Sequence, residues 1–145
     1  MKLHNHIQIE KALEIALDAH RGQVDKAGKA YILHPLRLLV EAKTEEEQIV
    51  ALLHDVVEDS DVTLDGLRTA GFSDSIIKAI NLLTRRSEDT YEDFIEKVRT
   101  NELARHIKIL DLRDNMQIDR IPNPSEKDLG RIEKYKKAAV FLEAG

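Results

Sequence analysis

Apolar residues recur at intervals of three and four along most of the chain, and this spacing predicts amphipathic helices rather than strands. A first helix is expected over about residues 7–21, followed by a loop from Gly22 to Leu33. A second helix is expected to begin at Pro35, because the fixed φ angle of proline suits a first helical turn. No alternating run is long enough to indicate a strand.

Serine and threonine residues at capping positions mark the starts of the later helices. They are Thr44, Thr63, Ser73, Thr90 and Ser125. Thr44 and Glu47 form a capping-box signature, and the helix they begin is predicted to run through about Val57. The later helices are predicted from Thr63 to Gly71, from Asp74 to about Arg85, from the Thr90 cap through Val98, from about Leu103 to Ile118, and from Ser125 with its apolar side running to Leu142. These elements predict a compact all-α bundle of seven or eight helices.

Composition excludes several classes of function. The chain has 145 residues, which suits a single domain, and its lack of cysteine excludes disulfides and thiolate-held metals. A net charge of −5, with three tyrosines and three phenylalanines, argues against a nucleic-acid-binding protein. No apolar run reaches the ~20 residues of a membrane span and no signal peptide opens the chain, so a cytoplasmic protein is expected.

Two predicted helices carry ionisable residues where apolar ones are expected. Residues 49–57 are apolar around most of the helix, which predicts a central position, yet the run contains His54 and Asp55. A buried imidazole and a buried carboxylate are costly unless each is paired or binds a metal. Glu58 and Asp59 follow at the predicted C-terminus of this helix, where the helix dipole disfavours anions.

The second such helix carries Asp111 within its apolar face, with Asn115 one turn later on nearly the same side. His34 follows an apolar run at a helix entrance. Together, His34, His54, Asp55 and Asp111 offer two imidazoles and two carboxylates from three separate segments. Such mixed nitrogen and oxygen ligands suit Mn²⁺, Fe²⁺, Co²⁺ or Zn²⁺. An ion with positions left open for water would generate a hydroxide nucleophile near neutral pH.

Three sequence blocks resemble the HD-domain metal-dependent phosphohydrolases and, within them, the RelA/SpoT-type (p)ppGpp 3′-pyrophosphohydrolase domain. The blocks are Ala19–Gln23 leading to Tyr31–Pro35, then Ala51–Asp59, and Lys108–Asn115. The resemblance covers about residues 8–140 and implies one HD-type hydrolase domain over residues 1–145. The synthetase and regulatory domains of the long enzymes are not expected in a chain of this length.

The resemblance implies a role for each candidate residue. The metal ligands would be His34, His54, Asp55 and Asp111. Mn²⁺ is the expected ion, with Fe²⁺, Co²⁺ and Zn²⁺ as alternatives. Glu58 and Asp59 would place and deprotonate the water that attacks phosphorus, and Lys26 and Asn115 would contact a small nucleotide substrate.

One loop departs from the family pattern. Asp25-Lys26 stands where these hydrolases usually carry an Arg-Lys pair, whose arginine packs against the guanine base, and Ala30 stands in place of a proline. A carboxylate in place of a guanidinium removes a stacking cation and adds repulsion toward a polyphosphate. The exchange therefore predicts weak hydrolysis of ppGpp.

Two alternatives are compatible with the same residues. One is an HD-type hydrolase of another nucleotide or of a phosphomonoester. The other is a non-catalytic helical module that binds a nucleotide and keeps the metal as a structural element. The enzyme is favoured because Glu58, Asp59 and Asn115 are present although folding does not require them. Neither nucleic acid nor a membrane is expected as a partner, and no oligomeric state is predicted.

Overall fold

The computed structural model describes residues 5–145, apart from the side chains of Asn5 and Ile118, and all regular elements in that part are helical. The helices are α1 (Asn5–Ala19), α2 (Leu33–Glu41), α3 (Glu45–Leu53), α4 (Val56–Asp59), α5 (Leu64–Thr69), α6 (Asp74–Leu83), α7 (Tyr91–Arg99), α8 (Glu102–Asn115) and α9 (Glu126–Glu143). A 3₁₀ turn, Ile118–Arg120, lies between α8 and α9. The prediction of an all-α fold is confirmed. None of the described helices has the length and apolarity needed to cross a membrane.

Helix α3 is the centre of the bundle, as its apolar composition predicted. Its residues from Ile49 to Leu53 are completely buried. The helix packs against α1, α2, α6 and α8, so it touches the elements that carry the other candidate residues. Because α3 is enclosed on all sides, the two residues that follow it are held within the protein rather than at its surface.

The helix predicted to run through Val57 is interrupted, and this prediction was wrong at its end. Helix α3 stops at Leu53, and Asp55 has φ −127° and ψ 12°, which is not a helical conformation. The chain then turns into the short helix α4. The break directs the adjacent side chains of His54 and Asp55 toward the same interior region. Apolar spacing continues through the break, so the hydrophobic pattern alone does not reveal it.

The predicted caps are mostly present. Side-chain oxygens of Thr63, Thr90 and Ser125 accept hydrogen bonds from backbone N–H groups of the helices that they begin. Ser73 occupies the predicted N-cap position of α6, but its side chain makes no capping hydrogen bond. At α3 only half of the capping box forms, because the Glu47 carboxylate accepts from the backbone of Lys43 instead of Thr44.

Other predicted boundaries were displaced by two or three residues. Helix α2 begins at Leu33 rather than Pro35, and α6 ends at Leu83 rather than near Arg85. Helix α8 ends at Asn115 instead of Ile118. The loop before α2 is folded into a small hairpin-like turn, with a single antiparallel bridge between Val24 and Ala30. This turn lies beside the candidate site.

Candidate metal centre

Three of the four predicted metal ligands, His34, His54 and Asp111, bring ligand atoms within 4.8 Å of one another, and Asp55 adjoins them through His54. His34 comes from the first turn of α2, His54 and Asp55 from the break after α3, and Asp111 from α8. His34 Nε2 lies 2.8 Å from Asp111 Oδ1. His54 Nε2 lies 3.5 Å from Asp111 Oδ1 and 3.5 Å from Asp55 Oδ2. Three elements that are distant in sequence thus place two imidazoles against two carboxylates.

Hydrogen bonds on the far side of each ring fix the direction of the imidazole nitrogens. His54 Nδ1 donates to the carbonyl oxygen of Ala51 at 2.7 Å. A carbonyl oxygen can only accept, so Nδ1 carries the hydrogen and the neutral ring has its lone pair on Nε2. His34 Nδ1 likewise donates to Asp114 Oδ2 at 2.6 Å. Both Nε2 atoms therefore point toward the carboxylates: His54 Nε2 presents a lone pair, while His34 Nε2 lies at hydrogen-bond distance from Asp111 and shares a proton with it when no metal is bound.

This arrangement fits a divalent cation. The Nε2 atom of His54 is buried and has no hydrogen-bond partner, although two carboxylates lie nearby. Lone pairs that face carboxylate oxygens in a buried site require a proton or a cation between them. Ligands at about 2.0–2.2 Å from an ion lie roughly 3–3.5 Å from one another, close to the separations found among these four residues. The donor set is one that binds borderline divalent metals.

The same charges shift the pKa values of the residues that carry them. Burial alone would raise the pKa of Asp111, but the Lys108 ammonium and the histidine hydrogen bonds hold it well below its ordinary range. Burial alone would lower the pKa of His34. The carboxylates of Asp111 and Asp114 more than reverse this and raise the pKa of His34 to about 9.

Asp111 has two further partners on its own helix. Lys108 Nζ donates to Asp111 Oδ2 at 2.7 Å, and the amide of Asn115 donates to Asp111 Oδ1 at 3.1 Å. Lys108 Nζ also lies over the Phe94 ring, 5.1 Å from its centre, and so makes a cation–π contact. Asn115 was predicted to contact substrate. Its side chain donates to Asp111 and also lines the cavity described below.

Asp114 was missed in the sequence and holds several groups of the site together. Its carboxylate accepts from His34 Nδ1, from Arg37 Nε at 2.8 Å and from an Arg120 terminal nitrogen at 3.0 Å. Burial would raise the pKa of Asp114, but His34 and the two arginines lower it, so the carboxylate stays ionised. An ionised carboxylate on Nδ1 makes the opposite nitrogen of His34 a stronger ligand.

Both carboxylate oxygens of Asp55 have neighbours besides His54. The Tyr31 hydroxyl donates to Asp55 Oδ2. His20 Nε2 lies 3.2 Å from Asp55 Oδ1, and the Tyr31 ring lies between the rings of His20 and His34. His20 is thus part of the cluster, next to the predicted ligands. A histidine at the end of the first predicted helix is expected to pack against the His34 region, and His20 does so across the Tyr31 ring.

The two predicted catalytic acids have different surroundings. Glu58 Oε1 accepts a hydrogen bond from the backbone N–H of Arg85 at 2.8 Å, which ties the acid to the segment after α6. The carboxylate of Asp59 lies with His20 and Asp55, their ligand atoms within 4.8 Å of one another. Partial burial and the negative charges of Asp55 and Glu58 raise the pKa of Asp59. Asp59 therefore has a higher proton affinity than an isolated carboxylate.

A cavity of about 440 Å³ opens beside the cluster. His34, Tyr31 and Asn115 line its inner end, and Lys26 lies on its wall with three arginines, Arg37, Arg120 and Arg131. Each of these arginines is paired with a carboxylate, Asp114 or Asp128. Lys26 is the cavity cation that has no carboxylate partner within the described residues. The lining also includes Asp25, so the cavity presents one unpaired cation and one carboxylate of the same loop to a ligand next to the candidate metal centre.

Comparisons of the sequence and the fold with known proteins show the family of this chain. No protein-family model matches the chain. It is 30% identical over 145 residues to a Vibrio cholerae protein named guanosine-3′,5′-bis(diphosphate) 3′-pyrophosphohydrolase. That match covers 93% of this chain and 20% of the relative. The chain belongs to the RelA/SpoT-type hydrolase-domain family.

Other relatives show how far the likeness extends. A Streptomyces coelicolor protein named GTP pyrophosphokinase is 31% identical over 94% of this chain and 17% of its own length. The chain therefore spans about a fifth of the curated relatives it matches. A solved structure described as a metazoan orthologue of SpoT that hydrolyses ppGpp has a TM-score of 0.77 at 22% identity. It covers 93% of this chain and 84% of the other, and it supports the fold.

The loop that departs from the RelA/SpoT-type pattern has a structural reason for its aspartate. Asp25 Oδ1 accepts hydrogen bonds from the backbone N–H groups of Ala27 and Lys29, each at 2.9 Å. Gly28 completes the turn with φ +79°, which favours glycine. The Asp25 carboxylate is therefore engaged by its own loop, and this loop places Lys26 at the cavity.

We expect Asp114→Asn to weaken metal binding about 10–100-fold, because the substitution removes the charge that makes His34 a strong ligand. The dissociation constant for Mn²⁺ would be measured by competition with a fluorescent chelator. Asp119→Asn, which removes an exposed acid from the neighbouring 3₁₀ turn, is the matched control. Equal affinities for Asp114→Asn and wild type would show that Asp114 does not support His34.

The raised pKa of His34 predicts a pH-dependent stability in the presence of EDTA. The pKa rises from an ordinary value of 6.5 to about 9, so the protonated ring stabilises the fold fully below pH 6.5. This contribution is lost as the pH rises to about 9. The difference in Tm between wild type and His34→Asn should therefore be larger at pH 6.5 than at pH 9. A difference that grows with pH would contradict this sign.

Proposed function

We propose that this chain is a divalent-metal-dependent pyrophosphohydrolase that removes diphosphate from the 3′ position of a guanosine nucleotide such as ppGpp. The observation that carries the proposal is the convergence of two imidazole Nε2 atoms on the carboxylates of Asp111 and Asp55, beside a cavity that His34, Lys26 and three arginines line. The named activity of the Vibrio cholerae relative supports the reaction class. We place this activity in one cytoplasmic hydrolase domain formed by residues 1–145.

His34, His54, Asp55 and Asp111 would hold the ion, and we propose Mn²⁺. A divalent ion bound there supplies Lewis-acid chemistry, which neutralises charge on phosphoryl oxygens and acidifies a water. The residues around these four keep them in position before substrate arrives. Asp114 and Ala51 fix the two rings, while Lys108 and Tyr31 fix the two carboxylates. Such preorganisation reduces the rearrangement required during the reaction.

Glu58 and Asp59 would accept the proton of the attacking water. Asp59 lies beside Asp55, so a water near the metal ligands is within reach of its carboxylate. Its raised pKa increases its affinity for that proton at neutral pH. Glu58 repels the ionised form of Asp59 and so contributes to this shift. The Arg85 hydrogen bond holds Glu58 in one orientation.

The cavity would bind the nucleotide so that one of its phosphorus atoms lies next to the cluster. Lys26 has its charge available for a phosphate, because no carboxylate pairs with it in the described residues. Asn115, which lies between Asp111 and the cavity, would donate to the sugar or a phosphate oxygen. Tyr135 and Ile132 provide apolar surface at the other end for a base. The substrate is thereby oriented with its phosphates inward.

Hydrolysis assays with a nucleotide panel and Mn²⁺ test this function. Glu58→Gln combined with Asp59→Asn should lower turnover of the hydrolysed nucleotide by ~10²–10⁴-fold, because proton transfer and water orientation are lost. The double variant should still bind Mn²⁺ at His34, His54, Asp55 and Asp111. Glu92→Gln combined with Asp93→Asn, on the exposed first turn of α7, is the control that should keep full activity.

Three outcomes distinguish the candidates. Release of diphosphate from ppGpp, abolished by EDTA, supports the proposal. Release of phosphate from a different nucleotide or a phosphomonoester identifies another HD-type hydrolase. Nucleotide binding without turnover by the wild type, under conditions where metal is bound, identifies a non-catalytic module.

The charge of Asp25 can be tested without unfolding its loop. Asp25→Asn retains a side-chain oxygen for the Ala27 and Lys29 N–H groups and removes the negative charge. If the carboxylate repels phosphate, kcat/KM for ppGpp should rise about threefold to tenfold. Asp25→Ala should instead lower it, because the loop that holds Lys26 loses both hydrogen bonds. An unchanged kcat/KM in Asp25→Asn would show that this charge does not act on the substrate.

A further inference from the structure

A second group of potential ligands lies against the first. His20, Asp55 and Asp59 place one ligand atom each within 4.8 Å of one another. His20 directly follows α1, Asp55 lies in the break after α3, and Asp59 ends α4. We call these three residues the His20 group. It shares Asp55 with the candidate metal centre described above.

The orientation of the His20 ring is fixed from outside the group. Its Nδ1 lies 2.9 Å from Gln23 Oε1. The Gln23 amide nitrogen donates to the carbonyl oxygens of Ala19 and Asp59, both at 3.2 Å, so Oε1 must be the acceptor. His20 Nδ1 therefore carries a hydrogen, and the neutral ring has its lone pair on Nε2.

That lone pair points into the group and has no partner. The His20 side chain has 0% exposure, and its Nε2 lies 3.2 Å from Asp55 Oδ1. The contact is not a hydrogen bond, and both atoms are buried and unsatisfied. Two lone-pair atoms at this separation match two ligands of a single metal ion. A buried, fixed imidazole without a partner is costly unless the site binds a cation.

The Asp55 carboxylate faces both the candidate metal centre and the His20 group. Its Oδ2 lies 3.5 Å from His54 Nε2, and its Oδ1 is the atom that faces His20. The carboxylate of Asp59 adds a second negative charge to the His20 side. Two carboxylates that close repel one another unless a cation lies between them. The His20 group thus combines one fixed nitrogen ligand with two oxygen ligands.

We propose that His20, Asp55 and Asp59 bind a second divalent cation, with the Asp55 carboxylate shared between two neighbouring metal sites. The first of these sites is the one on which the proposed function rests. Mn²⁺ suits the nitrogen and oxygen donors of the second. This site has only three protein ligands, and Asp59 is exposed, so it binds its ion more weakly than the first. One Asp59 oxygen then binds the ion, and the other remains available to a water.

Metal stoichiometry tests the proposal without requiring substrate. Metal-free full-length protein would be titrated with Mn²⁺ at pH 8, with bound ions counted by elemental analysis and by EPR. We expect two Mn²⁺ per wild-type chain, and one in His20→Asn. Two ions that share Asp55 also broaden the EPR spectrum through their magnetic interaction, and His20→Asn should narrow it to that of an isolated ion.

Matched variants keep the result interpretable. His106→Asn, the same exchange at a histidine on α8 outside both groups, should still bind two ions. Asp59→Asn alters an exposed side chain and should also reduce the count to one, which provides a second test if His20→Asn folds poorly by circular dichroism. Saturation of the wild type at one Mn²⁺, or two ions retained in both variants, would overturn the proposal. A single-ion protein that still hydrolyses nucleotide would overturn this inference alone.

Discussion

The burial of two carboxylates against three imidazoles is the constraint on which the rest of this structure depends. Asp55 and Asp111 lie in the interior, where an uncompensated charge would destabilise the fold by several kcal/mol. The helices around them supply compensation at almost every polar atom. Four buried side-chain atoms of the described residues have no hydrogen-bond partner, and three of them, His20 Nε2, His54 Nε2 and Asp55 Oδ1, lie beside these carboxylates; the fourth is the Tyr91 hydroxyl on α7. Most of the unmet hydrogen-bonding capacity is therefore concentrated next to Asp55, which is where a cation has the most to contribute.

The groups around this region act as a rigid frame. Asp114 connects α2, α8 and the 3₁₀ turn through His34, Arg37 and Arg120. Gln23 connects the end of α1 to α4 through its amide. Neither residue is among the predicted metal ligands, yet each determines where a ring nitrogen points. Precision at the cluster thus depends on residues whose own side chains need not touch a substrate.

Much of this site could be predicted from sequence, because an ionisable residue within an apolar stretch of a helix is easy to recognise. His54, Asp55 and Asp111 interrupt apolar stretches, and a resemblance to HD-type hydrolases connected them with His34. Asp114 has a weaker signal, because it stands among polar residues at the end of α8 and looks solvent-facing. Its one indication was an anion near a helix C-terminus, the same feature that singled out Glu58. Hydrogen bonds between distant residues, such as Asp114 with His34, leave no local pattern.

The errors in the fold have equally physical causes. The break after Leu53 depends on the backbone of Asp55, while the apolar spacing around it remains helical. Ser73 has a capping sequence, but its hydroxyl lies next to Ser75 instead of a backbone N–H of α6. In the loop, the expectation that the Asp25 carboxylate repels a phosphate stays a prediction, since Asp25 lines the cavity. Its two hydrogen bonds to the backbone give it a role that composition does not reveal.

The distance along the chain between the ligands also constrains when the centre can form. His34 and Asp111 are 77 residues apart, with His54 and Asp55 between them. A ribosome releases the chain from its N-terminus, so α2 and α3 emerge well before α8. Until then the emerging segment carries two histidines and one aspartate without the carboxylate, lysine and asparagine of α8. The centre can be assembled only once most of the protein has been synthesised. The central helices can therefore begin to pack before the full set of candidate ligands is present.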